Sequence, residues 1–112
     1  MLKEPLRSWI EVKSERLEFV EAPGESFAVA RTVRKEQPEG FQGFHGENLL
    51  FIVDEASGVE DIIFEVGQGS MSTRGAKTLM TGNPTRTSGF FHDAFHKMRE
   101  RWFTMKVSCH DS

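Results

Sequence analysis

Residues Leu49-Leu50-Phe51-Ile52-Val53-Asp54-Glu55 decide how this chain reads. An unbroken apolar run, opening at Asn48 and closing on two acids, matches a strand buried on both faces of a parallel sheet, where no polar alternation is needed. A helix is expected next, because Ser57 and Glu60 stand at capping-box spacing and Val59, Ile62, Ile63 and Val66 fall at i, i+3, i+4 and i+7. Gly67 and Gly69 are expected to end it. Ala76 to Thr81 reads as a second short strand and Gly82 to Ser88 as a turn-rich loop. Ser88 then caps a further helix with Phe91, Ala94, Phe95 and Met98 on its core face. Phe103, Met105, Val107 and Cys109 alternate with Thr104, Lys106 and Ser108, the pattern of a half-exposed strand. From residue 48 onward the order is strand, helix, strand, helix, strand, so the fold class is α/β with a parallel sheet and flanking helices.

Upstream, residues 1–14 read as an opening helix, with Leu6, Trp9, Ile10 and Val12 as a partial apolar stripe and Pro5 in the first turn. Two β-prone runs follow, Leu17 to Val20 and Phe27 to Val33. They are separated by the turn residues Ala22-Pro23-Gly24-Glu25 and form a hairpin or two adjacent strands. Lys35 to Gly46 is polar and glycine-rich and reads as a loop. With 112 residues in all, the chain has room for a single core, expected to span 1–112 with segments 1–34, 35–47 and 48–112.

Lys and Arg number 14 against 17 Asp and Glu, a net charge of −3, so no global basic field points to nucleic acid. The longest apolar run, Leu49 to Val53, is far short of the roughly 18 residues a membrane helix needs. The opening Met-Leu-Lys-Glu-Pro lacks the layout of a signal peptide, and a soluble, intracellular protein is the expectation. A single cysteine, Cys109, excludes an internal disulfide framework and reads as a small hydrophobe packed on the last strand.

Two segments carry the chemistry. A buried strand ending in adjacent acids delivers them to the carboxyl edge of the sheet, where open α/β folds bind ligands. There Asp54 suits Mg²⁺, held partly through water, and Glu55 suits polarisation of an attacking water. The bland reading is a strand closed by two solvated acids. Thr81-Gly82-Asn83-Pro84-Thr85-Arg86 lies after the next strand at the same edge. Its Thr81 or Asn83 suits a terminal phosphate and Arg86 suits phosphate charge, against a plain Gly-Asn-Pro turn. Two edge loops in register strengthen each other. His92-Asp93-Ala94-Phe95-His96 imitates a zinc helix, but Asp is one methylene shorter than the usual Glu, and Phe91, Ala94 and Phe95 explain the segment as packing. His45, His110 and Arg74 read as ordinary loop residues. No Gly-x-x-x-x-Gly-Lys-[Ser/Thr] occurs, so a complete ATP site cannot be written from these residues.

Taken together, Gly40-Phe41-Gln42-Gly43-Phe44-His45, the stretch Leu49 to Val59, and Leu79-Met80-Thr81-Gly82-Asn83-Pro84-Thr85-Arg86-Thr87-Ser88-Gly89-Phe90-Phe91 resemble the ATPase domain of the large terminase subunit of tailed bacteriophages. The likeness runs over roughly residues 26 to 112. It implies a P-loop NTPase-like sheet that lacks its phosphate-loop strand. Asp54 would be the Walker B acid for Mg²⁺, Glu55 the catalytic base, and Thr81, Gly82 and Asn83 the coupling motif that links ATP hydrolysis to DNA movement. It further implies ATP and Mg²⁺ as cofactors of the whole enzyme, and double-stranded DNA, a portal and a small terminase subunit as partners in the bacterial cytoplasm. The family's phosphate-binding loop and nuclease domain have no counterpart in these 112 residues. In the family the phosphate-loop strand lies between the strands matching Ala76 to Thr81 and Phe103 to Cys109. Those two are therefore expected to close on each other or to recruit a second molecule. The competing reading is a non-enzymatic module that self-associates through open sheet edges.

Overall fold

A computed structural model describes residues 6–13, 16–21, 24, 26–33, 36 and 46–111. Helix α1 (Leu6–Trp9) is a single turn that leads directly into strand β1 (Ile10–Val12). The opening helix is thus corrected: β-branched Ile10 and Val12 pair with Phe19 and Leu17 rather than continuing the helical stripe. Strand β2 (Arg16–Phe19) is central to an antiparallel sheet in the order β1-β2-β3, with β3 at Phe27–Val29. The hairpin reading of these two runs holds. Glu18, buried on β2, is held by Arg16 at 2.6 Å and Lys13 at 3.2 Å, and the Arg16 guanidinium lies over the Phe27 ring. Most of the loop expected at 35–46, including His45, lies outside the described residues.

Strand β4 (Leu49–Val53) pairs in parallel with β5 (Ala76–Met80), Leu49 opposite Ala76 through Val53 opposite Met80. Both strands and their parallel pairing agree with the sequence, and the described chain is a mixed α/β structure. Burial on both faces does not hold. Phe51 and Val53 face the core, whereas Leu50 and Ile52 are each 62% exposed on the opposite face. Among the described residues no element covers that second face, so the apolar run is only half used.

Between the paired strands lie a 3-10 turn (Ala56–Gly58) and helix α2 (Asp61–Met71). The capping box does not form: Glu60 is the N-cap and makes no side-chain cap bond, because Ser57 sits inside the 3-10 turn. Neither Gly67 nor Gly69 ends α2. The helix runs through both and stops where Ser72 and Thr73 turn their hydroxyls onto the carbonyls of Gln68 and Gly69. Its inward face is Ile63, Phe64, Gly67 and Ser70, displaced from the stripe read in the sequence, and Ile62 points outward. The return to β5 passes through Gly75 at φ 85°, where a Cβ would lie 2.5 Å from the Glu47 carbonyl oxygen. Only glycine fits that approach.

Val53, Ala56, Phe64 and Phe91 form the core, with Phe90 of helix α3 (Phe90–Phe95) stacked on Phe64 at 4.4 Å. Gly89, not Ser88, is the N-cap of α3, and Met98 lies beyond its end. After a second 3-10 turn (Arg99–Arg101) the chain leaves the core. The final strand is not formed: Phe103, Met105 and Val107 are 91%, 68% and 68% exposed, and none pairs with β5. An alternating pattern makes a strand only when an edge receives it. Cys109, expected to pack on that strand, is exposed as well.

Candidate functional site

Parallel pairing carries β4 and β5 to the same edge, and their next residues, Asp54 and Thr81, meet there. Thr81 donates its N–H to the Val53 carbonyl at 3.0 Å and accepts from the Ala56 N–H at 2.8 Å, which extends the ladder past both strands. Its hydroxyl donates to Asp54 Oδ1 at 2.9 Å. The same oxygen accepts the Glu55 N–H at 2.9 Å. One carboxylate oxygen is therefore fixed by two donors, which orients an acid that is otherwise open to solvent.

Glu55 has φ 52° and ψ 41°, the left-handed conformation, and is the sole non-glycine residue with positive φ among those described. For a residue with a Cβ this costs on the order of 1–2 kcal/mol. Its side chain is exposed beside Asp54, consistent with a group that acts on solvent or ligand. Gly82 packs against the turn that follows: a Cβ there would stand 3.2 Å from Ala56 N and 3.4 Å from Ser57 N. The glycine lets the second loop lie directly on the first.

A further link joins the loops, from the Thr85 hydroxyl to Ser57 Oγ at 3.2 Å. Asn83 is exposed, and its carbonyl accepts the Thr85 N–H at 2.8 Å. Arg86 lines a shallow cleft of about 230 Å³ together with Ala56 and Ser57, the residues that follow Glu55, and with Glu60, Asp61 and Phe91. The structure thus gathers Asp54, Glu55, Thr81 and Gly82 at one edge, with Arg86 on the cleft beside the turn that follows. Sequence reasoning missed Asp61, whose Oδ1 accepts the Phe90 N–H at 3.0 Å and so ties α2 to the start of α3. An acid in the first turn of α2 was the available signal, but its partner lies in another element.

His92 and His96 stack face to face at 3.9 Å, and His96 Nδ1 lies 2.8 Å from the His92 carbonyl. Among the described residues no group of three or more His, Cys, Asp or Glu is placed to hold a metal ion. At the chain's end Asp111 is held below the usual carboxylate range by the N–H and hydroxyl of Ser108, far from this edge in sequence. No described helix is long and apolar enough to cross a membrane.

Over 71 residues the chain is 38% identical to a protein of Enterobacteria phage P7 described as "Probable terminase, large subunit". The match takes in 63% of this chain and 14% of that relative, so the chain spans only a small part of its length. The terminase resemblance read from the motifs is borne out by this identity. No family model matches the chain. No solved structure matches it.

Proposed function

We propose that the chain is part of the ATPase module of a phage DNA-packaging terminase, with a P-loop NTPase-like arrangement in which Asp54-Glu55 is the Walker B pair and Thr81-Gly82-Asn83 the coupling motif. The observation that carries this reading is the 2.9 Å hydrogen bond from Thr81 to Asp54, which links the two segments at the carboxyl edge of adjacent parallel strands. A shift in the Thr81 loop must move or release the Asp54 carboxylate, and that is the property a coupling element requires. Asp54, oriented through Oδ1, would hold Mg²⁺, which when bound offsets phosphate charge. Glu55 would accept the proton of the attacking water at its exposed carboxylate. Arg86 would meet phosphate charge from the neighbouring cleft. The phosphates themselves need a loop that these 112 residues do not contain.

In this reading the whole enzyme uses ATP and Mg²⁺ and works on double-stranded DNA with a portal and a small terminase subunit in the bacterial cytoplasm. The matching test is a chimera in which this chain's 71 matched residues replace their counterparts in the phage P7 protein. The expected result is retained ATP hydrolysis that falls by about 10²–10⁴ with Glu55→Gln while nucleotide still binds. Unchanged hydrolysis in that variant overturns the assignment. The exposed Leu50, Ile52 and Leu79 face favours the second reading, an interaction module without catalysis.

A further inference from the structure

The left-handed turn at Glu55 is held from a single neighbouring residue. Its φ of 52° lies where any side chain meets steric resistance, and a conformation of that kind persists only where surrounding bonds over-determine it. The φ and ψ of Glu55 set the relative orientation of two planar peptide groups, one carrying the Glu55 N–H and the other the Ala56 N–H. Both lead to Thr81. The Glu55 N–H donates to Asp54 Oδ1 at 2.9 Å, and that oxygen is held by the Thr81 hydroxyl, also at 2.9 Å. The Ala56 N–H donates directly to the Thr81 carbonyl at 2.8 Å.

Thr81 is itself fixed. Its N–H donates to the Val53 carbonyl at 3.0 Å, in line with the β4-β5 ladder. Next to it Gly82 lies close against the Ala56 and Ser57 amide nitrogens, and the Thr85 hydroxyl reaches Ser57 Oγ at 3.2 Å. Buried Ala56 anchors the far side of this clamp in the core. A threonine hydroxyl has one proton to donate, and here it is given to Asp54 rather than left for a phosphate oxygen.

We propose that Thr81 is a positioning residue for Glu55: it grips the peptide groups on either side and so fixes the direction in which the Glu55 carboxylate leaves the backbone. This rests on the reading of Glu55 as the base that accepts the proton of the attacking water, and it allots Thr81 to that base instead of to the nucleotide. A hydrogen bond to a charged group is of the same order as the cost of a left-handed residue, so loss of the hydroxyl alone releases Glu55 to the ordinary negative φ. The carboxylate is then still present and still exposed, but it points elsewhere.

The conformational half is tested on the 112-residue chain by nuclear magnetic resonance, without nucleotide. At positive φ an amide hydrogen is nearly eclipsed with the Hα of its own residue, which gives a stronger cross-relaxation peak between the two than negative φ does. Glu55 of the unaltered chain is expected to show the strong peak, Thr81→Ser to keep it and Thr81→Val to lose it, with the peaks of β4 and α2 unmoved as the check on folding. A weak peak at Glu55 in the unaltered chain overturns the clamp, as does a strong one that survives in Thr81→Val. The kinetic half uses the phage P7 chimera. Thr81→Val is expected to lower kcat roughly tenfold, within the roughly 10²-fold that a misplaced group costs, with KM for ATP unchanged and Thr81→Ser near the starting rate. A raised KM at unchanged kcat puts the hydroxyl on the nucleotide and is fatal to the proposal. Unchanged hydrolysis in Glu55→Gln removes the base from the ATPase reading whatever the spectra show, so the two failures are told apart.

Discussion

Glu55 holds a backbone conformation that suits glycine, in the middle of the acidic edge. Relief of that conformation and loss of the carboxylate have opposite consequences, which makes the position diagnostic. Glu55→Gly is expected to stabilise the isolated chain by up to about 1 kcal/mol in urea unfolding, because glycine pays no steric cost at positive φ. The same change in the phage P7 chimera is expected to abolish hydrolysis. A destabilised variant would mean that the turn is not strained. Thr81 and Gly82 show the complementary logic: one hydroxyl and one missing Cβ bring the second loop onto the first. The residue types at this edge were legible in the sequence, because acids, a threonine and a glycine after β-prone runs are local signals. The left-handed turn at Glu55 was not, since acidic residues do not advertise positive φ.

Among the elements, β4 and β5 were readable because short runs of strand-forming residues bounded by turn residues need no distant partner to be recognised. Several of the failures involve groups whose partners are remote. Ile10 and Val12 became strand because β2 receives them, whereas Phe103 to Cys109 pairs with no strand among the described residues. The start of α2 has no side-chain cap, while the start of α3 is served across elements, by Asp61 of α2 at the Phe90 N–H. Helix α3 is six residues long and has little stability of its own. Asp61→Ala is therefore expected to cost about 0.5–2 kcal/mol, and the loss should appear in α3 first. Denaturation followed by the fluorescence of Trp102, which packs on Phe90, is the measurement. An unchanged midpoint would show that the cap carries no stability.

The whole molecule has a radius of gyration of 16.1 Å. A compact chain of this length is expected near about 13 Å. Its core is small, and one face of the β4-β5 sheet, with Leu50, Ile52 and Leu79, has no cover among the described residues. Parallel sheets ordinarily are covered on both faces, so this exposed face departs from the usual arrangement. In the proposed reading the acids at Asp54 and Glu55 work with a phosphate loop that these 112 residues do not contain. Calorimetric titration of the isolated chain with MgATP is expected to show no micromolar binding, and a saturable micromolar isotherm would contradict the partial-module reading. The pairing of β5 with β4 on one side has one more consequence, which lies in time rather than in structure. Thr81 turns its N–H to β4, and backbone groups alternate in direction along a strand. The amide hydrogens of Lys77 and Leu79, turned to β4 as well, therefore exchange slowly with deuterated water, and those of Thr78 and Met80, turned outward, exchange at once. A strand laid along the outward side would slow the fast pair to match the slow one, so four neighbouring amides report whether that edge is covered.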